Sequence, residues 1–347
     1  MAISSGAVAL VYSYILNAVQ RIAPSFHYAS ALAIFLSLAV FAVIVVAIAT
    51  AFALLFGWAE RKMLARMQSR RGPTYVGRYG LLQNVADLIK LLTKEHIVPD
   101  GADRPVFLMM LPLLVALFML LLFLLPLTRT FVGIGTSIGL IALFALLSLA
   151  PLLVFLAGWT SGNKFGSISA QRSAVMLVSY EAPLLLVVAA VALLAHSFSL
   201  AAIVGAQARH WFILYMPIGF ALFFILMLVE TERPPFDLKE ADIELVAGWL
   251  TDVSAPYYAL YLLLDYIRML VGALLISALF LGGWLGPAAL PPYAWMLVKV
   301  AVISVFIVVI RATMYRMRLD RAIRLGWAYL LPIAMANLAL TFILFVR

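Results

Sequence analysis

The sequence predicts an all-α integral membrane protein with eight transmembrane helices and further amphipathic helices on the inner membrane surface. The chain has 347 residues, of which 66% are hydrophobic and 11% are charged. Its mean hydropathy of +1.12 lies far above that of soluble globular proteins. The apolar residues form long unbroken runs, whereas a transmembrane β-barrel would alternate polar and apolar residues along each strand. Helices are therefore the spanning elements that fit this pattern.

Eight apolar segments are long enough to approach or cross a bilayer, which takes about 20 apolar residues in a helix. They lie near residues 31–56, 106–127, 132–157, 174–195, 212–229, 257–281, 293–310 and 325–346. The fifth and seventh are the shortest. Residues 5–20 predict a moderately apolar helix before the first span. No soluble domain or internal repeat is visible, so residues 1–347 are expected to form a single membrane domain.

The basic residues predict the orientation. The linkers after spans one, three, five and seven carry eighteen of the twenty-four Lys and Arg residues. By the positive-inside rule these linkers face the cytoplasm or its organellar equivalent, and both termini lie on the other side. The net charge of +9 is interpreted as this bias rather than as nucleic-acid binding. The N-terminus has no early charge and no clear cleavage site, so no signal peptide is expected.

Several functional classes are disfavoured by what the sequence lacks. There is no cysteine, which excludes disulfides, Cys-ligated iron–sulfur clusters and Cys-type zinc sites. The four histidines show no metal-ligand spacing, and no glycine-rich phosphate loop follows a strand. We therefore expect no flavin, iron–sulfur cluster or metal on this chain. A stand-alone secondary transporter would show inverted repeats and broken spans at matching positions, and the sequence shows neither.

The first inner linker, residues 57–105, predicts an amphipathic helix and a basic cluster. One helical face carries five apolar residues, namely Leu81, Val85, Leu88, Ile89 and Leu92. Such a helix lies along the bilayer surface, or alternatively packs against its own protein. A cluster of basic residues precedes it, namely Arg61, Lys62, Arg66, Arg70 and Arg71. They are typical of contacts with anionic lipid or of a topology signal.

Four ionisable residues fall inside predicted spans, where such residues pair or line a polar cavity rather than face lipid. They are Glu181, Asp265, Arg268 and Lys299. Asp265 and Arg268 are three residues apart, so one interpretation is that they neutralise each other. Lys299 requires an acidic partner from another segment, or else it loses its proton. Pro183 follows Glu181 closely and removes a backbone donor, which indicates a hinge or an element of a proton path.

The linker at residues 230–248 is the main anomaly, since it holds six of the fifteen carboxylates of the chain. They are Glu230, Glu232, Asp237, Glu240, Asp242 and Glu244. Pro234 and Pro235 are expected to end span five. Asp237 followed by Glu240 has the spacing of a capping box, so a structural role is an alternative for both residues.

A short helix over residues 238–249 is predicted after the prolines. It would place Glu240 and Glu244 one turn apart on the same face. Two carboxylates that close repel each other, so the pair is expected to titrate as a coupled unit. Such a pair exchanges a proton near neutral pH and is the best candidate for proton handling, with Glu230 and Glu181 behind it.

Five motifs in order along the chain resemble one family. They are WAERKMLARMQSRRGPTYVGRYGLLQNVADLIKLLTKE at residues 58–95, GWTSGNK at 158–164, SYE at 179–181, ETERPPFDLKEADIELVAG at 230–248 and RATMYRMRLD at 311–320. The chain is identified from them as a member of the membrane H subunit (mitochondrial ND-one) family of respiratory complex I. The match covers nearly the whole chain.

The resemblance implies a membrane subunit, without its own redox centre, of a proton-translocating oxidoreductase that passes electrons from NADH or a related donor to quinone. The chain would form the quinone chamber and its entrance and would couple quinone reduction to proton pumping. The alternative is the equivalent subunit of a membrane-bound hydrogenase or formate hydrogenlyase. The implied cofactor is quinone, bound at a site shared with neighbouring subunits.

The implied partners are the peripheral-arm subunits that carry the quinone site and the terminal iron–sulfur cluster. Other membrane-arm subunits and membrane lipids are also implied, and nucleic acid is not. The implied location is the plasma (inner) membrane of a prokaryote, with the mitochondrial inner membrane as the alternative.

The resemblance also assigns candidate roles to individual residues. The proton-coupling positions are Glu181, Glu230, Glu232, Asp237, Glu240, Asp242 and Glu244. The quinone-chamber positions are Glu60, Arg61, Arg66, Gln68, Arg233 and Phe236. The intramembrane charges are Asp265, Lys299 and Arg311, and no metal ligand is implied.

The chain departs from the family pattern at a few positions. Glu232 stands where the common form has asparagine, and Lys239 stands where proline often precedes the acidic run. Thr74, Asn84 and Tyr315 are further departures. They bear on the quinone and the electron donor more than on the fold. The ERPPFD form favours a prokaryotic complex, with an archaeal one among the alternatives.

Overall fold

The computed structural model describes residues 7–22, 29–128, 131–287 and 289–345. Within these ranges the secondary structure is helical, with no strand, and it comprises fifteen α-helices with a few short 3₁₀ and π turns. The helices are α1 (Ala7–Ile22), α2 (Ala29–Met67), α3 (Gln83–Thr93), α4 (Arg104–Leu124), α5 (Gly139–Leu147), α6 (Leu149–Thr160), α7 (Lys164–Ala195), α8 (Leu200–Ala206), α9 (Phe212–Tyr215), α10 (Pro217–Glu230), α11 (Asp242–Leu245), α12 (Ala255–Phe280), α13 (Pro292–Thr313), α14 (Leu319–Arg324) and α15 (Leu331–Phe345).

Seven helical segments of the described chain are long and apolar enough to cross a membrane. They are Phe35–Met67, Arg104–Leu124, Gly139–Thr160, Lys164–Ala195, Ala255–Phe280, Pro292–Thr313 and Leu319–Phe345. The predicted class, an all-α integral membrane protein, is confirmed. The fifth predicted span, near 212–229, is divided into α9 and α10. Met216 has φ −138° and ψ 62° because the residue before a proline avoids the helical region, and Pro217 then starts α10.

The centre of the bundle is α12. Every residue from Ile267 to Phe280 is buried, on all sides of the helix. The neighbours of α12 include α2, α4, α10 and α13. Burial on all sides places this part of α12 in the core of the bundle rather than at its outer surface. By contrast, α13 exposes Leu297 and Val302, whose side chains are both 63% exposed, as expected for a surface that faces lipid.

Two spanning helices extend beyond the predicted apolar segments. Helix α2 continues to Met67, so its last turns carry Glu60, Arg61 and Arg66. Helix α7 begins at Lys164, where the side chain of Asn163 accepts a hydrogen bond from the backbone N–H of Phe165 and caps the helix. Pro183 lies inside α7, and the helix continues through it without a break.

The amphipathic helix predicted in the first inner linker is α3. Asn84 donates a hydrogen bond of 2.8 Å to the carbonyl of Leu54, and Arg61 pairs with Asp87 at 2.6 Å, which fixes α3 to α2. Ile89 and Leu92 are more than half exposed. Helix α3 therefore rests on its own protein along one edge and offers an open apolar edge along the other.

The helix predicted over residues 238–249 is wrong. Helical residues there are confined to the four of α11 and a 3₁₀ turn at Gly248–Leu250. The carbonyls of Leu238 and Lys239 accept hydrogen bonds from Arg172 and Ser169 of α7 instead of from the next helical turn. Gly248, with φ +59°, lies so close to the Lys239 carbonyl that a Cβ atom would be 1.9 Å from its oxygen. The chain folds back on itself rather than continuing as a helix.

Candidate functional site

A group of charged side chains meets where the loop between α10 and α12 packs against α2, α12 and α13. Arg233 lies at its centre, with 2% of its side chain exposed. Its Nη1 donates to Glu60 Oε1 at 2.9 Å, and its Nη2 lies 2.8 Å from Asp265 Oδ2. Glu60 Oε1 also accepts from Arg311 Nη1 at 2.5 Å. We call these four residues the Arg233 cluster.

The neighbouring residue in the chain, Glu232, forms a second cluster. Its Oε1 accepts from Lys239 Nζ at 2.5 Å, and its Oε2 accepts from Arg268 Nη1. All three side chains are almost fully buried. Burial raises the pKa of Glu232, but the positive charges of Arg268 and Lys239 outweigh burial, and the net effect is a lowered pKa. We call these three residues the Glu232 cluster.

Glu240 lies in the same loop and has the opposite character. Its Oε2 accepts a hydrogen bond from the Tyr261 hydroxyl, and its buried Oε1 has no hydrogen-bond partner among the described residues. Burial, together with the negative charges of Glu232 and Asp237, raises the pKa of Glu240 to about 8. The raised pKa favours the protonated form of Glu240 near neutral pH, and a role of Glu240 in proton exchange stays a prediction.

The predicted partnership of Glu240 with Glu244 is wrong. Glu244 has 48% of its side chain exposed and pairs with Arg172 at 2.6 Å. The two carboxylates separate because residues 238–241 are not helical, so the one-turn spacing does not exist. The acids that act electrostatically on Glu240 are Glu232 and Asp237 instead.

The predicted capping role of Asp237 is also wrong. Ala241 stands at the N-cap of α11, and no side chain caps it. Asp237 Oδ2 lies 2.5 Å from Nη2 of Arg316, which follows α13 in the chain. This bond ties the acidic loop to the segment between α13 and α14. The side chain of Asp242, another predicted coupling residue, lies outside the described part of the structure.

Asp265 and Arg268 pair with other residues rather than with each other. Asp265 belongs to the Arg233 cluster and Arg268 to the Glu232 cluster. Residues three apart on one helix are close enough to pair. Here the loop places Glu232 and Arg233, two adjacent residues of opposite charge, beside α12. Glu232 pairs with Arg268, and Arg233 pairs with Asp265.

Lys299 contacts no carboxylate among the described residues. Its Nζ donates three hydrogen bonds of 2.6 to 2.8 Å to the backbone carbonyls of Leu281, Gly283 and Leu285, just beyond the end of α12. The acidic partner expected from the sequence is replaced by these carbonyl oxygens, which the end of a helix leaves without donors. The ammonium also lies over the ring of Trp211, 4.5 Å from its centroid.

Glu181 and Glu230 share a small cavity with Lys239. The cavity measures about 30 Å³, room for about one or two water molecules, and Tyr180 and Ser148 also line it. Glu230 Oε1 is buried and has no hydrogen-bond partner among the described residues. The structure therefore brings together two of the predicted coupling residues, one from span four and one from the linker after span five.

The remaining predicted quinone-chamber residues differ in character from these clusters. Arg66 and Gln68 are exposed at the end of α2, and Gln68 accepts a 2.7 Å hydrogen bond from Arg70. Arg61 is held by Asp87 of α3. Phe236 is buried, with its ring centroid 5.8 Å from that of Tyr180.

Five residues of the site were not among the predicted site residues. They are Arg172, Lys239, Tyr261, Arg268 and Arg316. One signal for Lys239 was present, since Glu232 and Lys239 both depart from the family pattern and the structure bonds them to each other. Within the described ranges no three His, Cys, Asp or Glu side chains converge as metal ligands. The arrangement is suited to moving protons and compensating charges.

Comparison with known proteins agrees with the motifs. A family model described as NADH dehydrogenase matches residues 22–342. The second H subunit of NADH-quinone oxidoreductase from Syntrophobacter fumaroxidans is 40% identical over 308 residues, which is 86% of this chain and 92% of that protein. NADH-quinone oxidoreductase subunit 8 of Thermus thermophilus is 42% identical over 301 residues, 84% of this chain and 82% of that protein.

Proposed function

The chain belongs to the NADH dehydrogenase family that includes the H subunit of NADH-quinone oxidoreductase, and on this premise we propose how it works within such a complex. It is a multi-pass membrane subunit of an oxidoreductase complex. We propose that it forms part of the quinone chamber and couples quinone reduction to proton pumping through the loop between α10 and α12. The proposed location is the plasma membrane of a prokaryote.

The observation that carries the proposal is the buried Glu240 beside two clusters of paired charge. A carboxyl group whose pKa is raised to about 8 changes its charge near neutral pH. A change of charge in a buried site alters the balance of every neighbouring ion pair, because charges interact more strongly away from water. Glu232 acts electrostatically on Glu240 and also on Glu230, which lines the cavity. We propose that Glu232, which acts on both carboxyl groups, couples a change of charge at Glu240 to that cavity.

Beside the acids, we propose that quinone binds at a site shared with another subunit. The cavity of about 30 Å³ beside the acids is far smaller than small-molecule sites, which measure about 300–1,000 Å³. The side chains that present hydrogen-bond donors at the predicted inner surface, Arg66 and Gln68, are exposed and would need a second wall. When bound, a quinone supplies the acceptor of two electrons and two protons.

The proposed partners follow from this open surface. They are the peripheral-arm subunits that carry the quinone site and the terminal iron–sulfur cluster, other membrane-arm subunits, and lipid around the outer helices. Flavin, iron–sulfur clusters and metals are assigned to those partners and not to this chain. Subunits that co-purify with this chain in mild detergent identify the electron-donor class.

The residues of this chain have separate proposed tasks. Glu240 takes up and releases the proton, with Tyr261 holding its carboxylate in place. Arg233 and Arg311 pair with Glu60 and tie the loop to α2 and α13. The carboxyl groups of Glu181 and Glu230 in the cavity respond to the change of charge at Glu240. Asp237, through Arg316, transmits movement of the loop to the segment after α13.

The test is Glu240→Gln in the intact complex, which removes the titrating group and keeps its size. We expect proton pumping linked to quinone reduction to fall by about tenfold or more, with electron transfer to an artificial acceptor unchanged. Asp100→Asn is the control, since Asp100 is an exposed carboxylate in the linker before α4. Normal pumping in the Glu240→Gln complex would refute the role of Glu240. Equal loss of both activities would indicate failed assembly instead.

A further inference from the structure

Lys239 connects the Glu232 cluster with the cavity of Glu181 and Glu230. Its ammonium lies 2.5 Å from Glu232 Oε1, and the same side chain lines the cavity. Both features place a buried cation between a paired carboxylate and a carboxylate whose Oε1 has no partner in the described chain, that of Glu230. Neither the family resemblance nor the predicted site assigns a role to this residue.

The backbone of Lys239 is fixed while its side chain is long and flexible. Its carbonyl accepts a 2.6 Å hydrogen bond from Ser169 and packs against Gly248. The preceding carbonyl, of Leu238, accepts from Arg172. The loop is therefore pinned to α7 at this point. A four-carbon side chain with a rotatable ammonium can change partners without any movement of that backbone.

The charges around Lys239 permit such a change of partner. While Lys239 binds Glu232, the Glu232 cluster contains two cations and one carboxylate. If the ammonium turns to the cavity, Arg268 still neutralises Glu232, so no buried acid is left without a counter-ion. Leaving a buried charge unpaired is the step that normally makes such a movement costly.

We propose that Lys239 is a positioning residue that moves its charge between Glu232 and the cavity of Glu181 and Glu230, and so sets when that cavity holds a proton. In the cavity the ammonium favours the ionised carboxylates strongly, and at Glu232 it favours them less. The charged groups around Glu230 are Lys239 and Glu232 from the loop, Arg268 from α12 and Glu181 from α7. Of the two cations, Lys239 and Arg268, Lys239 has the more flexible side chain.

This inference rests on the proposed function, but its test does not require turnover. Infrared spectra of the intact complex are recorded across a pH titration, and the carboxyl band of Glu230 is identified by its loss in Glu230→Gln. In Lys239→Met the pH at which this band is half lost is expected to rise by about one unit, because a nearby cation no longer favours the ionised form. In Lys239→Arg, which keeps the charge, the midpoint is expected to stay near that of the unchanged complex.

An unshifted midpoint in the Lys239→Met complex would overturn the proposal, and so would an equal shift in the Met and Arg variants. If the Met variant does not assemble, Lys239→Gln keeps a donor for Glu232 and allows the same comparison. A purely structural Lys239 would change the amount of complex and leave the midpoint unchanged. A shifted midpoint in a complex that does not pump protons would support the proposed role of Lys239 and refute the proposed function. Proton pumping without a shifted midpoint would refute the role of Lys239 and leave the proposed function standing.

Discussion

Buried cations lie at two places along helix α12, and different kinds of group bind them at the two places. In its inner half, Arg268 of α12 and Arg233 of the preceding loop bind the carboxylates of Glu232, Glu60 and Asp265. Beyond its other end, Lys299 of α13 binds backbone carbonyls. The same physical requirement, a partner for a buried charge, is met by side chains in one region and by main chain in the other.

The difference separates a site that can change its charge from one that cannot. Backbone carbonyls do not titrate, so the bonds of Lys299 fix the turn between α12 and α13 at every pH at which the ammonium is charged. Carboxylates do titrate, and the inner region holds several within a few residues, including Glu240 with its raised pKa. We interpret the Lys299 region as structural and the inner clusters as the working part of the protein.

The largest expected effect comes from Arg233→Met. Removal of this cation leaves Asp265, whose side chain is 22% exposed, without its partner, while Glu60 keeps Arg311. Removal of one member of a buried ion pair costs about 3–5 kcal/mol. We expect a large loss of assembled complex, measured as its yield and thermal midpoint in membranes.

The double variant Arg233→Met with Asp265→Asn is the matched control. It removes the carboxylate that Arg233→Met leaves unpaired, so most of the lost stability is expected to return. If the double variant is as unstable as Arg233→Met alone, the Arg233 cluster acts through packing and not through charge, and the contrast with Lys299 disappears.

The next effect in size is that of Lys299→Met. Of the three carbonyls that lose their donor, only that of Gly283 belongs to a buried residue, so the cost is about 1–3 kcal/mol. The thermal midpoint of the complex is therefore expected to fall by less than in Arg233→Met. The pH dependence of quinone-linked proton pumping is expected to stay unchanged. A changed pH profile in a complex of normal stability would instead place Lys299 on the proton path, as an intramembrane charge suggests from the sequence.

The sequence predicted the helices and the charged residues of this comparison better than it predicted which groups those residues bind. Hydropathy and the basic linkers predict the spanning helices, because burial in lipid imposes a strong constraint on composition over about 20 residues. The acidic loop was identified only because it holds six of the fifteen carboxylates of the chain. The partners of those carboxylates were not identified, because rules for local spacing cannot foresee a loop whose carbonyls bind Ser169 and Arg172 of another helix. The capping box and the Glu240–Glu244 pair were wrong for this reason.

Lys299 shows the same limit from the other side. A lone buried lysine in a sequence indicates that a partner must exist, and acids are the partners that a sequence can reveal. The carbonyls left open after a helix end carry no sequence signal, since any residue supplies them. By contrast, the joint departure of Glu232 and Lys239 from the family pattern was a signal, and its meaning became visible only through their 2.5 Å contact.

The smallest effect on stability is expected from Tyr261→Phe, which instead tests the titration of Glu240. The variant removes one hydroxyl that donates to Glu240 Oε2 and keeps the ring, which packs edge-on against Trp249. The hydrogen bond favours the ionised carboxylate, so its loss favours the protonated form and raises the pKa of Glu240 further above about 8. A hydrogen bond to a charged group is worth about 1.5–3 kcal/mol, or about one to two pH units.

The measurement is the infrared titration of the Glu240 carboxyl band, identified by its loss in Glu240→Gln. In the Tyr261→Phe complex the midpoint is expected at higher pH, and the alkaline limit of quinone-linked pumping is expected to move with it. Thermal stability should change little compared with Arg233→Met. A midpoint that moves to lower pH would show that the Tyr261 hydroxyl accepts a hydrogen bond from the protonated Glu240 instead of donating one, and the assigned role of Tyr261 would be wrong.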